Sequence, residues 1–149
     1  MAVKVKSQAS HAGQTVKVPS TQAELDAAKR VLDKNNLARH LELKQGSATS
    51  RNTRIMLGKG GEVSGALIFS VKKGEREAEI DFYAVDPGKR AEGMGGALMR
   101  AFLAEMRGAG VSSVLVHPSC ELHEPYYAHF GFKRLPPTGH EFYAMAKKL

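Results

Sequence analysis

The chain has 149 residues, of which 42% are hydrophobic and 25% are charged, and its formal net charge is +7. This length allows one hydrophobic core, and no apolar run approaches the roughly 20 residues that a membrane-spanning helix needs. The single cysteine, Cys120, excludes an internal disulfide and indicates a reducing compartment, for which the cytoplasm is the default expectation.

The N-terminal third predicts a polar arm followed by one strand and two helices. Residues 1–13 are polar and lack the apolar core of a signal peptide. We expect a flexible arm there and a single domain over 14–149. A strand is predicted over 14–18. Ser20 then precedes a helix that reaches about Asp33, and a second short helix is predicted over 37–43.

Three strands are predicted next. Residues 53–58 and 62–72 read as neighbouring strands, because the glycine-rich residues 59–61 between them are typical of a hairpin. Gly74 turns the chain into a third strand over 78–85. A period of two places its residues on two opposite faces, with Glu79, Asp81, Tyr83 and Val85 on one and Ile80, Phe82 and Ala84 on the other.

A glycine-rich segment follows this strand and leads into an amphipathic helix. Val85 to Ala97 reads V-D-P-G-K-R-A-E-G-M-G-G-A. The N–H groups of a first helical turn have no partners inside the helix and attract an anion, and glycines let phosphate oxygens approach the backbone. The spacing matches neither the Rossmann fingerprint nor the P-loop. The segment therefore predicts a site for a phosphate-bearing ligand without naming it.

The C-terminal part predicts a strand over 111–116, a short helix around Tyr127, a strand over 132–135 and a last strand over 142–146. The short helix ends at Gly131, a residue that easily adopts the positive φ found after a helix C-terminus.

Two motifs resemble those of the GNAT superfamily of acetyl-CoA-dependent N-acetyltransferases. One is R-x-x-G-x-G from Arg90 to Gly95, between a strand and a helix, and the other is Y-x-x-x-G-F from Tyr127 to Phe132. The resemblance implies the α/β (α+β) GNAT fold. Its sheet is mixed and mostly antiparallel, with about 6–7 strands flanked by about 4 helices in the order β-α-α-β-β-β-α-β-α-β-β.

The resemblance also implies acetyl-CoA as acyl donor, with the glycine-rich segment holding its pyrophosphate. The basic net charge agrees with a polyanionic coenzyme, which a positive surface steers toward its site. The residues expected to bind the coenzyme are Ala84, Val85, Arg90, Ala91, Gly93, Met94, Gly95, Gly96, Ala97 and Tyr127.

Direct transfer to an amine requires a base, an oxyanion donor and an acid for the leaving thiolate. The resemblance implies Tyr127 as the acid and the Val85 amide as the oxyanion donor. It also implies a strand carboxylate as base, and Asp81 is preferred slightly over Glu79. Tyr126 is expected to pack in the core.

The segment from His117 to His123 departs from the family, because Cys120 and His123 stand where many members have Asn and Ala. We expect His117, Cys120 and His123 to line the acceptor pocket, with His117 an alternative base. Their spacing matches no standard zinc pattern, so no metal is expected.

The sequence favours an N-acetyltransferase acting on a primary amine of a small molecule or protein in a ternary complex. Two alternatives stay open. One is a non-catalytic acyl-CoA-binding or regulatory protein of the same fold, and the other, less favoured, is a basic nucleic-acid-associated protein. No membrane partner is expected, and a homodimer through the C-terminal strands is a further expectation.

Overall fold

The computed structural model contains one mixed β-sheet with helices on both faces. The residues that it describes are 8–11, 14–35, 41–72, 74, 76–86, 94–118, 123–136 and 144–149.

The elements follow the predicted order closely, with one additional strand at the N-terminus. In chain order they are β1 (Gln8–His11), β2 (Gln14–Lys17), α1 (Gln22–Lys34), α2 (Ala48–Arg51), β3 (Thr53–Leu57), β4 (Val63–Lys72), β5 (Glu77–Val85), α3 (Met94–Gly108), β6 (Ser113–Val116), α4 (Glu124–His129), β7 (Lys133–Arg134) and β8 (Met145–Lys148).

Within the described residues the sheet has eight strands in the order β1-β2-β3-β4-β5-β6-β8-β7. Only β5 and β6 pair in parallel; the other neighbours are antiparallel. This mixed sheet confirms the predicted fold class. None of the described helices is long and apolar enough to cross a bilayer.

Two N-terminal expectations differ from the structure. Residues 8–11, expected within a flexible arm, form β1 and pair with β2, with Gln8 opposite Lys17. Hydrogen bonding to the backbone of β2 stabilises this strand. Its polar sequence has no hydrophobic alternation that would predict it.

The short helix predicted over 37–43 is wrong in its described part, because residues 41–43 are not helical. The Gln22 side chain binds the backbone there, donating to the Leu43 carbonyl and accepting from the Gln45 amide. The helix lies later, at α2, where the Ser47 hydroxyl caps its N-terminus by accepting from the Ser50 amide.

Alternate residues of β4 belong to two different hydrophobic cores, which places one core on each face of the sheet. Leu67 and Phe69 pack with α3 residues such as Phe102, whose ring centroid lies 5.1 Å from that of Phe69. Ala66 and Ile68 pack with α1 on the other face. The sheet therefore holds α3 and α1 on opposite sides of β5.

A buried ion pair ties α3 to the sheet. Arg54 on β3 is 2% exposed and donates two hydrogen bonds to Glu105 of α3, with N···O distances of 2.8 and 2.7 Å. Its guanidinium also lies 5.0 Å from the centroid of the Phe69 ring. This bidentate geometry fixes the rotation of α3 as well as its distance from β3.

We expect Arg54→Ala to lower the free energy of unfolding by about 3–5 kcal/mol, because it leaves the largely buried Glu105 carboxylate without its partner. Arg51→Ala removes an exposed arginine three residues earlier and should cost less than about 1 kcal/mol. Urea unfolding of both variants measures the difference. Equal losses would show that the pair contributes nothing specific.

Candidate active site

Strands β5 and β6 separate halfway along β5. Their parallel pairing runs from Glu77 opposite Ser113 to Ile80 opposite Val116, where β6 ends. Beyond that point β5 continues to Val85 and pairs with β4 alone. Among the described residues no strand pairs with the other edge of residues 81–85.

Asp81 lies in a β-bulge at the point of separation. Phe69 of β4 is opposite Ile80 and Ile68 is opposite Phe82, which leaves Asp81 without a partner residue on β4. A bulge of this kind shifts the alternation of side chains by one residue and redirects the side chain at the bulge.

The bulge overturns the prediction that Glu79, Asp81, Tyr83 and Val85 share one face. Tyr83 and Val85 pack in the core beneath α3, together with Ile80. Phe82 and Ala84 pack in the other core instead. A strict period of two failed here because the sequence carries no signal for the extra residue.

Two polar side chains, Glu79 and His117, meet where the strands part, and Asp81 lies near them. The Glu79 Oε1 atom lies 3.1 Å from Nε2 of His117, the residue that directly follows β6. Burial raises the pKa of Asp81, the Ser70 hydroxyl at 3.4 Å opposes that shift, and the Glu79 charge adds to it. The structure thus pairs Glu79 with His117 and sets Asp81 close enough to Glu79 for their charges to interact. The sequence singles out all three residues.

Three tyrosines lie on the α3 face of the opening. Tyr83 of β5 and Tyr126 of α4 share a hydrogen bond between their hydroxyls, 2.5 Å apart. Tyr127 is 9% exposed, and its ring meets those of Tyr126 and Phe132 edge-on. Tyr126, expected in the core, is instead 39% exposed and bridges α4 to the uncovered half of β5.

Burial, as the larger cause, and the nearby Tyr126, as the smaller, raise the pKa of Tyr127 to about 12. Burial also raises the pKa of Tyr126, and raises that of Tyr83 well above 10. All three hydroxyls therefore keep their protons at neutral pH, and each can donate one.

The predicted coenzyme residues that the structure describes lie near the same opening. Ala84 and Val85 end the uncovered half of β5, and the helix that follows starts at Met94. Gly95, Gly96 and Ala97 belong to its first turn. Arg90, Ala91, Gly93 and Cys120 lie outside the described residues.

The C-terminus of α1 holds the end of β5. Lys34 forms a 3.0 Å ion pair with Asp86, and the Asn35 amide donates to the Val85 carbonyl at 3.4 Å. The sequence does not predict these roles of Lys34 and Asn35, because no local signal marks contacts between residues about 50 positions apart.

Tyr83 and Arg100 also lie at the site. A Cβ built on Gly96 would lie 3.0 Å from the Arg100 guanidinium, so this cation covers the first turn of α3. Arg100 lowers the pKa of Tyr83 and of Tyr126, against the larger effect of burial. The sequence gives no signal that places Tyr83 at the site.

His123 precedes α4 and is exposed. The described residues contain no group of three or more His, Cys, Asp or Glu arranged to hold a metal ion.

A family model described as the acetyltransferase (GNAT) family matches residues 22–132. A search of curated proteins found no match.

Solved structures show the same fold at low sequence identity. The ribosomal-protein-S18-alanine N-acetyltransferase of Escherichia coli is 20% identical, with a TM-score of 0.67 over 91% of this chain and 93% of that one. Ard1 of Thermoplasma volcanium is 21% identical, with a TM-score of 0.71 over 92% and 98%. The N-acetylglutamate synthase of Neisseria gonorrhoeae, complexed with coenzyme A and N-acetyl-glutamate, is 17% identical. Its TM-score is 0.73 over 95% of this chain and 36% of that one.

We expect Asp81→Asn to be more stable than the wild type near neutral pH. The pKa of Asp81 is raised in the folded protein, so the folded state favours the protonated carboxyl and ionisation opposes folding. The stability that the protonated carboxyl contributes is therefore lost as pH rises through the folded pKa. The gain in Tm should therefore shrink as pH falls toward 4. Melting curves between pH 4.5 and 7.5 test this, with Asp26→Asn on α1 as the control. A gain that does not depend on pH would contradict it.

Proposed function

The chain belongs to the acetyltransferase (GNAT) family, and from this membership we propose that it is an acetyl-CoA-dependent N-acetyltransferase. Its acceptor is a primary amine of a small molecule or a protein, acetylated directly in a ternary complex. The observation that carries the proposal is the uncovered half of β5. A glycine-containing helix start and tyrosines lie on one side of it, and carboxylates with a histidine lie where β6 departs.

In the proposed donor site, the amides of the first α3 turn hold the coenzyme pyrophosphate. Gly95 and Gly96 present no side chain there, and unpaired N–H groups at a helix start favour an anion. The uncovered edge at residues 81–85 accepts the pantetheine arm as an added strand would pair. The Val85 amide is the proposed donor to the acetyl oxygen.

In the proposed acceptor site, Asp81 removes a proton from the amine. Its raised pKa makes it a stronger base than an ordinary aspartate, and the bulge sets it at the end of the β5–β6 ladder. The Glu79–His117 pair, 3.1 Å apart, is the second candidate base.

The proposed transfer balances with two proton movements. The amine nitrogen forms a bond to the acetyl carbon while the carbon–sulfur bond breaks. Asp81 takes the proton from nitrogen, and Tyr127 gives its hydroxyl proton to the leaving thiolate. The pKa of about 12 keeps Tyr127 protonated until the thiolate forms. The single cysteine fits a reducing compartment, and we place the enzyme in the cytoplasm.

We expect the wild-type chain to bind acetyl-CoA with micromolar affinity in calorimetry, and Gly95→Glu to abolish that binding. Glutamate in the first turn of α3 obstructs the amides and repels pyrophosphate. The matched control is Gly108→Glu at the opposite end of the same helix, where an added Cβ meets nothing within 4 Å. It carries the same charge change and should bind normally.

Absence of binding by the folded wild type would overturn the donor assignment. Salt-dependent binding to RNA or DNA in its place would support the nucleic-acid alternative. Binding without thiol release across a panel of amines, amino acids and peptides would favour a non-catalytic acyl-CoA-binding protein.

We expect Tyr127→Phe to lower kcat by about 100-fold with little change in KM for acetyl-CoA, because general-acid catalysis is worth about that much. Tyr126→Phe removes the neighbouring hydroxyl and should lower kcat less than about tenfold. Thiol release, assayed with the best acceptor from the panel, measures both. The reverse order would move the acid role to Tyr126, whose hydroxyl contacts Tyr83.

A further inference from the structure

The hydrophobic core beneath α1 ends at β5. Among the residues that the structure describes, its strand residues come from β3, β4 and β5 and none from β6, β7 or β8. On the other face, β6 and β8 contribute Val114, Val116 and Met145 to the core beneath α3. In the described part of the chain, no hydrophobic core therefore covers the α1 side of β6, β8 and β7. We call this surface, with the adjoining residues of β5, the open sheet face.

The strand register arranges the open sheet face in two rows, because residues directly opposite one another on paired strands share a face. The first row crosses β5, β6 and β8 as Glu77, Ser113 and Lys148. The second crosses β5, β6, β8 and β7 as Glu79, Leu115, Ala146 and Lys133. Each row has a carboxylate at its β5 end and a lysine at its other end, about 10–14 Å away by the spacing of strands.

The charges at the ends of the rows are weakly engaged within the chain. Both lysines are exposed, and neither has an ion-pair partner among the described residues. Glu77 lies 3.7 Å from the exposed Lys72, and Glu79 contacts His117, which is charged only when protonated. Exposed pairs of this kind contribute little, so a further molecule of matching charge has both ends of each row to bind.

We propose that the open sheet face binds the same face of a second copy of this chain, in a symmetric dimer. A two-fold axis in the interface, parallel to the strands and midway between β6 and β8, sets β5 of one copy over β7 of the other and β6 over β8. Glu79 then faces the partner's Lys133. Leu115 faces the partner's Ala146, so a large side chain meets a small one. The two sheets pack as in a β-sandwich, about 10 Å apart.

The distribution of charge selects both this occupant and this orientation. A two-fold axis running across the strands would place the β5 carboxylates of the two copies over each other, which is unfavourable. With the axis parallel to the strands, acid meets base, and symmetry forms each pair twice. A partner of one charge sign, such as a nucleic acid, would match only one end of each row. The same face of a second copy matches both ends.

Sedimentation velocity over a series of protein concentrations tests the dimer. We expect the wild type to dimerise with a Kd of about 10 µM, because β6 and β8 have four residues each and small interfaces bind weakly. Glu79→Lys and Lys133→Glu each set like charges opposite one another twice in the dimer, so each should raise the Kd at least about tenfold. An equimolar mixture of the two variants restores both pairs and should dimerise about as tightly as the wild type.

The matched control is Lys59→Glu, which makes the same charge change at an exposed lysine between β3 and β4. It should dimerise as the wild type does. Circular dichroism checks that every variant is folded. A wild type that stays monomeric at all concentrations would overturn the proposal. Dimerisation that neither charge reversal weakens would place the interface elsewhere and also overturn it, as would two folded variants that fail to associate when mixed.

Discussion

The parallel ladder between β5 and β6 stops at Ile80 and Val116, and the candidate site depends on that stop. The backbone N–H and C=O groups along the free edge of a strand still need hydrogen-bond partners. The uncovered half of β5 is therefore an edge to which a further strand, or a ligand, can pair. The bulge at Asp81 falls at the same level and turns the side chains that follow it. One change in backbone pairing therefore creates the opening and sets which residues face each side of it.

Contacts from both layers of helices keep this opening in place. On one face the buried Arg54–Glu105 pair fixes α3, whose first turn lies at the mouth. On the other face Lys34 and Asn35 of α1 hold the end of β5. The Asp86 amide also donates to the Ser64 carbonyl of β4 at 2.7 Å, which keeps the strand paired up to its last residue. An edge held from both sides is preorganised for a ligand, which lowers the entropy that binding costs.

The sequence predicts the fold, and it singles out most residues of the candidate site, because the signals are local. A strand, a glycine-rich turn and a helix with an apolar stripe identify the stretch from β5 to α3, and the tyrosine motif identifies α4. No local sequence signal marks the bulge at Asp81. The sequence therefore also fails to predict that Tyr83 and Glu79 lie on opposite faces of the sheet. Long-range contacts such as that between Tyr83 and Tyr126 likewise depend on how the elements pack. Strand β1 is missed for the same reason, since backbone pairing makes it.

The two sides of the opening carry opposite charge, and the chemistry of amine acylation needs both. Arg100, beside the first turn of α3, suits the proposed polyanionic donor, whereas Glu79 and Asp81 carry carboxylates where the strands part. Carboxylates attract an ammonium ion and also stabilise its charged form, which is not nucleophilic. A carboxylate that only attracted the amine would therefore slow its attack. In the proposed mechanism the raised pKa of Asp81 narrows the gap in proton affinity between carboxylate and amine, so that Asp81 accepts the nitrogen's proton more readily than an ordinary aspartate would.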